Sequence, residues 1–292
     1  MKRLFFASFV IIFAIAIAIT CVSCTTSRQR GDYVTKTYSV SDVHTVCVEN
    51  LSLKKDGSTF GATVEFVCDG GEPSISLSMQ ESMFDTVKLN QYGQSVVVSG
   101  KKGCVYITDY DVKITVKNCV LTEIDLSYGC VATADAASLG DNLSIDLSGG
   151  SRLTAKTATC GAFELEASGG SRAVFDSISC SNMTVDLSGG STFASSSVTS
   201  TSLRVEASGG SRTTFDVGSS ESVSLEFSGA STFAGPRFNG ETVSVDLSGG
   251  SRVNVSCSGR ITGNASGGST VEYQGAATVN VDTSGGSSVN RV

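Results

Sequence analysis

The chain has 292 residues, a formal net charge of −7, 40% hydrophobic residues, two prolines, one histidine and no tryptophan. That hydrophobic share suffices for a packed core and excludes a disordered chain. An acidic balance without a basic tract excludes charge-driven binding to nucleic acid or to anionic membranes.

Lys2 and Arg3 open an apolar run, Leu4 to Thr20, that closes at Ser23-Cys24. A charged start, an apolar stretch and a small residue before the cut predict a signal peptide over 1–23. "CVSC" at 21–24 resembles a bacterial lipobox, which implies that Cys24 becomes the lipid-carrying first residue. Cys21 is the alternative lipid site, and plain secretion or an uncleaved anchor the alternative fate. Several acyl chains hold a protein stably on a membrane where one does not. Without Lys2 and Arg3, 19 basic residues face 28 acidic ones.

Residues 24–35 predict a flexible tether. It contains Arg30-Gly31-Asp32, the tripeptide that integrins read, which also arises by chance from common residues. From 36 to 118 the chain predicts an irregular N-terminal β-helical part. "HTVCVEN", "ATVEFVCD", "SISLSM", "TVKLNQ", "SVVVSG" and "VKITVKN" alternate or run apolar, with glycine-bearing turns between them.

Residues 119–292 are periodic. The serine that opens each Ser-Gly-Gly-Ser, or its variant, stands at 127, 148, 168, 188, 208, 228, 248, 266 and 284, in steps of 18 to 21. Five, three and one residue before this mark the chain is apolar, as at Phe163, Leu165 and Ala167, with Thr122, Gly263 and Thr283 the exceptions, and mostly polar between, which is strand alternation. Leu153, Phe193, Phe233 and Val253, five after the mark, show a second strand beyond the glycines. The spaced leucines and asparagine of leucine-rich repeats are absent. The pattern predicts an all-β, right-handed parallel β-helix with about 20 residues per coil, stacked about 4.8 Å apart. Similarity is higher at a 40-residue step, "EASGGSRAVFD" from Glu166 against "EASGGSRTTFD" from Glu206. Large and small residues then alternate between layers, as a filled interior requires.

Ser-Gly-Gly-Ser could cradle an anion, but such cradles need a following helix, and none is predicted here. It reads instead as a corner where glycine takes angles closed to other residues, with the flanking serines able to stack in hydrogen-bonded ladders. Two before the mark runs an acidic column: Asp125, Asp146, Glu166, Asp186, Glu206, Glu226, Asp246 and Asp282. Four after it stand Arg152, Arg172, Arg212 and Arg252. A cation stripe is one reading. The other is a solvated face partly neutralised by the arginines, with both stripes forming an interaction surface. Calcium needs about six to eight oxygens, and the nonapeptide of calcium-binding β-rolls is absent, so no metal or other cofactor is predicted.

Cys119, Cys160 and Cys180 lie eight before a mark, in a column shared with Gly140, Ser200, Ser220 and Gly240. This predicts a small filler at a corner. Cys160 and Cys180 become stacked neighbours, for which a disulfide is geometrically conceivable. The single histidine, His44, lies outside the repeats, and the carboxylates are spread along the rod, so no catalytic residue is assigned.

"TKTYSVSDVHTVCVEN", "SISLSMQESMFDTVKLNQYG" and "DLSGGSR" at Asp146 and Asp246 resemble the bacterial family of auto-transporter adhesin head GIN domains, from about Thr35 onward. The resemblance implies a β-helical, lipoprotein-type envelope protein, common in Bacteroidetes, with an adhesive role and no catalytic residues. The sequence shows neither a membrane barrel nor a coiled-coil stalk. By analogy with that group, the lack of an acidic run after Cys24 favours an outer membrane lipoprotein facing the periplasm over surface display. The expected function is a non-enzymatic, lipid-anchored module binding a glycan or envelope protein, or serving as structure. A polysaccharide-active lyase or hydrolase is the alternative. The last coil shows no cap, which predicts end-to-end self-association or a cap supplied by the N-terminal half.

Overall fold

The computed structural model describes residues 25–135 and 139–292. The signal segment and Cys24 lie outside the described residues. The described chain is a parallel β-solenoid.

Its regular part consists of five 16-residue strands and a 14-residue one. They are β15 (Arg152–Ala167), β16 (Arg172–Leu187), β17 (Thr192–Ala207), β18 (Arg212–Phe227), β19 (Thr232–Leu247) and β20 (Arg252–Ala265). Each makes one coil, and each pairs in parallel with the next. A coil has three sides. In β15 the buried residues are Leu153 and Ala155, then Ala158 and Cys160, then Phe163, Leu165 and Ala167. The period-two alternation slips by one after Ala155 and again after Cys160. Lys156 and Gly161, at those slips, are missing from the ladder to β16. These are two of the three corners, and Ser168-Gly169-Gly170 is the third. The alternation around the glycines reveals only two sides, because the third begins with a phase slip that a strict period of two cannot follow.

The glycine corner is a two-residue turn. Gly169 and Gly170 have φ of +64° and +78°, the signs that a type I′ turn requires at both central positions. The second serine closes it. Ser171 is buried, and its hydroxyl donates to the Ser168 carbonyl at 2.7 Å, as Ser191, Ser211, Ser231 and Ser251 do in their own coils. The predicted serine ladder is therefore mainly a set of bonds within each turn. Backbone bonds such as Ser188 N–H to Ala167 O (2.9 Å) join turn to turn.

Inside, the alternation of sizes holds. Phe175 faces Ala155 on one neighbouring coil and Ser195 on the other, and Phe193 faces Ala173 and Thr213. The rings form a continuous stack: Phe163–Phe175 (5.3 Å), Phe193–Phe215 (5.6 Å) and Phe215–Phe233 (5.5 Å), each edge to face. Each such pair adds about 0.5–1.5 kcal/mol to the burial of its rings.

The N-terminal part is irregular in a defined way. Its strands are β1 (Thr25–Arg28), β2 (Tyr33–Ser39), β3 (Thr45–Glu49), β4 (Ser52–Lys55), β5 (Ser58–Phe60) and β6 (Thr63–Val67). Then come β7 (Ser74–Gln80), β8 (Lys88–Tyr92), β9 (Ser95–Ser99), β10 (Cys104–Ile107) and β11 (Lys113–Lys117). After them, β12 (Leu121–Leu126), β13 (Val131–Ala134) and β14 (Leu139–Leu147) lead into β15. Spatial order departs from chain order. β12 stacks on β3, and β13 on β6, while β9 and β11 cover the opposite edges of β3 and β6. The coil of β9 to β11 is thus outside the coil of β3 to β6, although it follows it in the chain. Beyond it, β7 and β8 run antiparallel and β2 pairs with β7. Where later coils turn on Ser-Gly-Gly-Ser, these two coils insert strands of a separate sheet, ordered β1-β10-β4-β5.

Two expectations change. The stretch 24–35, expected as a tether, holds β1 in register with β10 and the start of β2. Arg30-Gly31-Asp32 lies between them with its backbone bonded to residues 81 and 82. The N-terminal half does supply a cap, but at the far end. β21 (Thr270–Gln274) carries β23 (Ser288–Arg291), and β20 carries β22 (Thr278–Thr283). β22 and β23 have no strand on their outer edges among the described residues.

Candidate functional site

Register turns the acidic column into a ladder. Asp125 pairs with Asp146, Asp146 with Glu166, Glu166 with Asp186, Asp186 with Glu206, Glu206 with Glu226, and Glu226 with Asp246. The side chains point outward because Leu165 and Ala167, on either side of Glu166, point inward. The next turn's serine stands beside each carboxylate. Together they line a shallow furrow in two joined stretches. One of ≈ 390 Å³ runs from Glu49 and Asp125 to Asp186 and Ser188. The next, of ≈ 400 Å³, runs from Asp186 through Glu206 and Glu226 to Asp246 and Ser248.

Like charges about 4.8 Å apart repel by roughly 1 kcal/mol per neighbouring pair in water, and the ladder answers in two ways. Burial first, then the adjacent carboxylates, hold Asp146 and Glu166 above the ordinary carboxylate range. Burial and Glu206 do the same to Asp186. Asp125 is raised by burial, even though the Cys47 thiol donates to its Oδ2 at 3.3 Å. The second answer is one cation. Arg204 bonds Glu206 and Glu226, each at 2.8 Å, and bridges two coils.

The arginine column takes no part in this. Arg152, Arg172, Arg212 and Arg252 are exposed at the start of the next side, beyond the glycine turn, and no ion pair among the described residues joins them to the ladder. The turn sends the two columns onto different sides of the coil, and among the described residues no direct ion pair forms across the corner. Arg204 was not singled out from sequence, because it is the one basic residue in its column. Its signal is its place two residues before Glu206, on the same outward face of a strand.

A second groove, ≈ 530 Å³, lies over the bend that follows Cys160 and its equivalents in later coils. Cys180, Ser200, Ser220, Glu221, Asn239 and Glu241 are among the residues that line it. His44 bonds Asp42 Oδ1 through Nε2 and the Val120 carbonyl through Nδ1, both at 3.1 Å, so both ring nitrogens are engaged away from any serine. Among the described residues no three His, Cys, Asp or Glu side chains gather as a metal site.

Comparison with known proteins fits this geometry. Solved structures share the fold, among them three bacterial proteins. One, described as a "putative adhesin" of Parabacteroides merdae, is 13% identical, with a TM-score of 0.66 over 91% of this chain and 99% of that one. Another, described as a "putative adhesin" of Parabacteroides distasonis, is 11% identical, with a TM-score of 0.62 over 92% and 100%. A third, described as a "putative lipid binding protein" of the same species, is 13% identical, with a TM-score of 0.64 over 92% and 100%. The comparison with curated proteins found no match. Residues 58–229 and 164–277 match the family described as "Putative auto-transporter adhesin, head GIN domain". That match spans well over half of the sequence, and the chain belongs to this family.

Proposed function

We propose that this chain is a non-enzymatic adhesive module of the cell envelope and that the acidic furrow is its contact surface. The observation that carries this is the ladder itself: seven carboxylates in register, flanked by hydroxyls, relieved by one arginine. Such a surface repels itself when empty and gains when cations approach, so it favours a partner with regularly spaced positive groups, on a glycan or an envelope protein. The carboxylates are repeated along a rod instead of converging in one cleft, which favours binding over glycan cleavage. The interior is filled by phenylalanines, so the surface carries the binding. Lipidation at Cys24 would tether the rod to the outer membrane, on its periplasmic side. The outer edges of β22 and β23, bare of strands among the described residues, suit end-to-end pairing with a second copy.

The test is a binding screen of the chain against glycans and envelope proteins. The wild type is compared with a variant neutralised at Asp146, Asp186 and Glu206, and with one neutralised at Arg152, Arg172 and Arg212. The proposal predicts a partner that is lost with the acidic column and kept without the arginines. Cleavage of any glycan in the screen establishes the enzymatic alternative instead.

A further inference from the structure

Eight cysteines occur among the described residues, all as free thiols. Only one pair stands directly opposite in a ladder: Cys160 of β15 against Cys180 of β16. Neighbouring strands lie about 4.8 Å apart, within the roughly 4.4–6.8 Å between Cα atoms that a disulfide spans. Gly161, next to the pair, is outside the ladder, so the backbone has room for the small closure needed. Other thiols are engaged elsewhere: Cys47 with Asp125, Cys119 with the Lys117 carbonyl, Cys257 with the Arg260 carbonyl. Cys160 and Cys180 face each other. The Cys180 thiol donates toward Cys160, which holds Cys160 below the ordinary thiol value and pushes Cys180 above it. Cys160 is buried, whereas Cys180 opens onto the ≈ 530 Å³ groove, where a reagent can reach it.

We propose that Cys160 and Cys180 are a modification site: a thiol pair that closes into a disulfide stapling one coil to the next. The oxidant is an external disulfide, of a thiol–disulfide oxidoreductase or of oxidised glutathione. The pair loses one proton to solvent, the proton they share passes to Cys160, and the Cys180 thiolate that this leaves attacks one sulfur of that disulfide, whose other sulfur leaves as a thiolate. Cys160 then gives up its proton and attacks the Cys180 sulfur, and the second external sulfur leaves as a thiolate. Two protein thiols are oxidised and one external disulfide is reduced. The closed link joins β15 and β16 beside the bend where their ladder is interrupted, and it resists peeling of coils from that point.

Trypsin separates the pair, because it cuts after Lys156, Arg172 and Arg204 and places the cysteines on peptides 157–172 and 173–204. The full chain is incubated with oxidised glutathione, blocked with N-ethylmaleimide and digested without reductant. The proposal predicts that the two peptides run as one linked species, that neither carries maleimide, and that reductant separates them. It also predicts a rise in melting temperature on oxidation that is absent in Cys180→Ser, a residue the same column carries at Ser200 and Ser220. Maleimide on both peptides, a stable glutathione adduct on Cys180 beside a free Cys160, or a link to another cysteine overturns it.

Discussion

Gly209 and Gly210 occupy the same turn and differ by one position, yet the fold assigns them unequal tolerance for a side chain. Both have positive φ, +67° and +80°. An alanine at either costs about 1–2 kcal/mol for the left-handed backbone, less about 0.4–1 kcal/mol regained from a stiffer unfolded chain. A Cβ on Gly210 meets nothing nearer than Gly229 O at 4.0 Å. A Cβ on Gly209 meets the Gly189 N at 3.0 Å and Cα at 3.4 Å, backbone atoms of the coil before it. Those atoms cannot rotate away, so the stack must open, at an overpacking cost of about 1–3 kcal/mol. The expected losses are therefore about 1 kcal/mol for Gly210→Ala and about 2–4 kcal/mol for Gly209→Ala. Ala230 already stands at the second position of its turn, with φ +67°, and Ala230→Gly should raise stability slightly. Denaturant unfolding followed by circular dichroism measures all three. Equal losses at the two glycines would refute the stacked-turn geometry.

Phe215→Ala removes a fully buried ring in contact with Phe193, Phe233 and Phe238, and is expected to cost about 3–5 kcal/mol in the same assay. The pH dependence follows from the raised carboxyls of Asp125, Asp146, Glu166 and Asp186. A folded-state value above the unfolded one means that the folded chain holds more protons. Their stabilisation is complete below the ordinary carboxylate value and is lost as pH rises through the raised ones. Melting temperature should thus climb as pH falls from neutrality through the raised values to the ordinary carboxylate value, and the Asp146→Asn/Glu166→Gln variant should flatten that slope; an equal slope in the variant rejects the assignment. Asp42 and Asp69 are lowered, by Gln94 and by Lys117 in the first instance, so their stabilisation fails only at more acid pH. Arg204→Ala removes two exposed ion pairs and should cost under about 1 kcal/mol, an effect that shrinks with added salt as calorimetry can follow.

The coil was legible in the sequence because parallel stacking puts each column against itself. Asp146 can be aligned with Glu166 and Asp186 by counting, and the pairing follows the count. Phe175 opposite Ala155 was equally open to reading from the 40-residue similarity. The third side was harder, since Lys156 and Gly161 break the alternation without any glycine pair to announce a corner. In the N-terminal part nothing repeats, so counting fails. That β12 stacks on β3, past the coil of β9 to β11, depends on contacts between segments about eighty residues apart. The site was half visible. The ladder could be found, but the separation of Arg152 from Asp146 depends on the direction the chain takes after two positive-φ glycines, which column chemistry does not reveal.

Adhesion by the acidic furrow is the central claim, and cells displaying the full chain test it most directly. Attachment to the surface or partner found in the binding screen is counted for the wild type, for Asp146→Asn/Asp186→Asn/Glu206→Gln, and for Arg152→Gln/Arg172→Gln/Arg212→Gln at equal display. Attachment abolished by the acidic triple variant and kept by the arginine variant is the predicted result. Attachment that survives loss of the acidic column, or that fails only with the arginines, would contradict it.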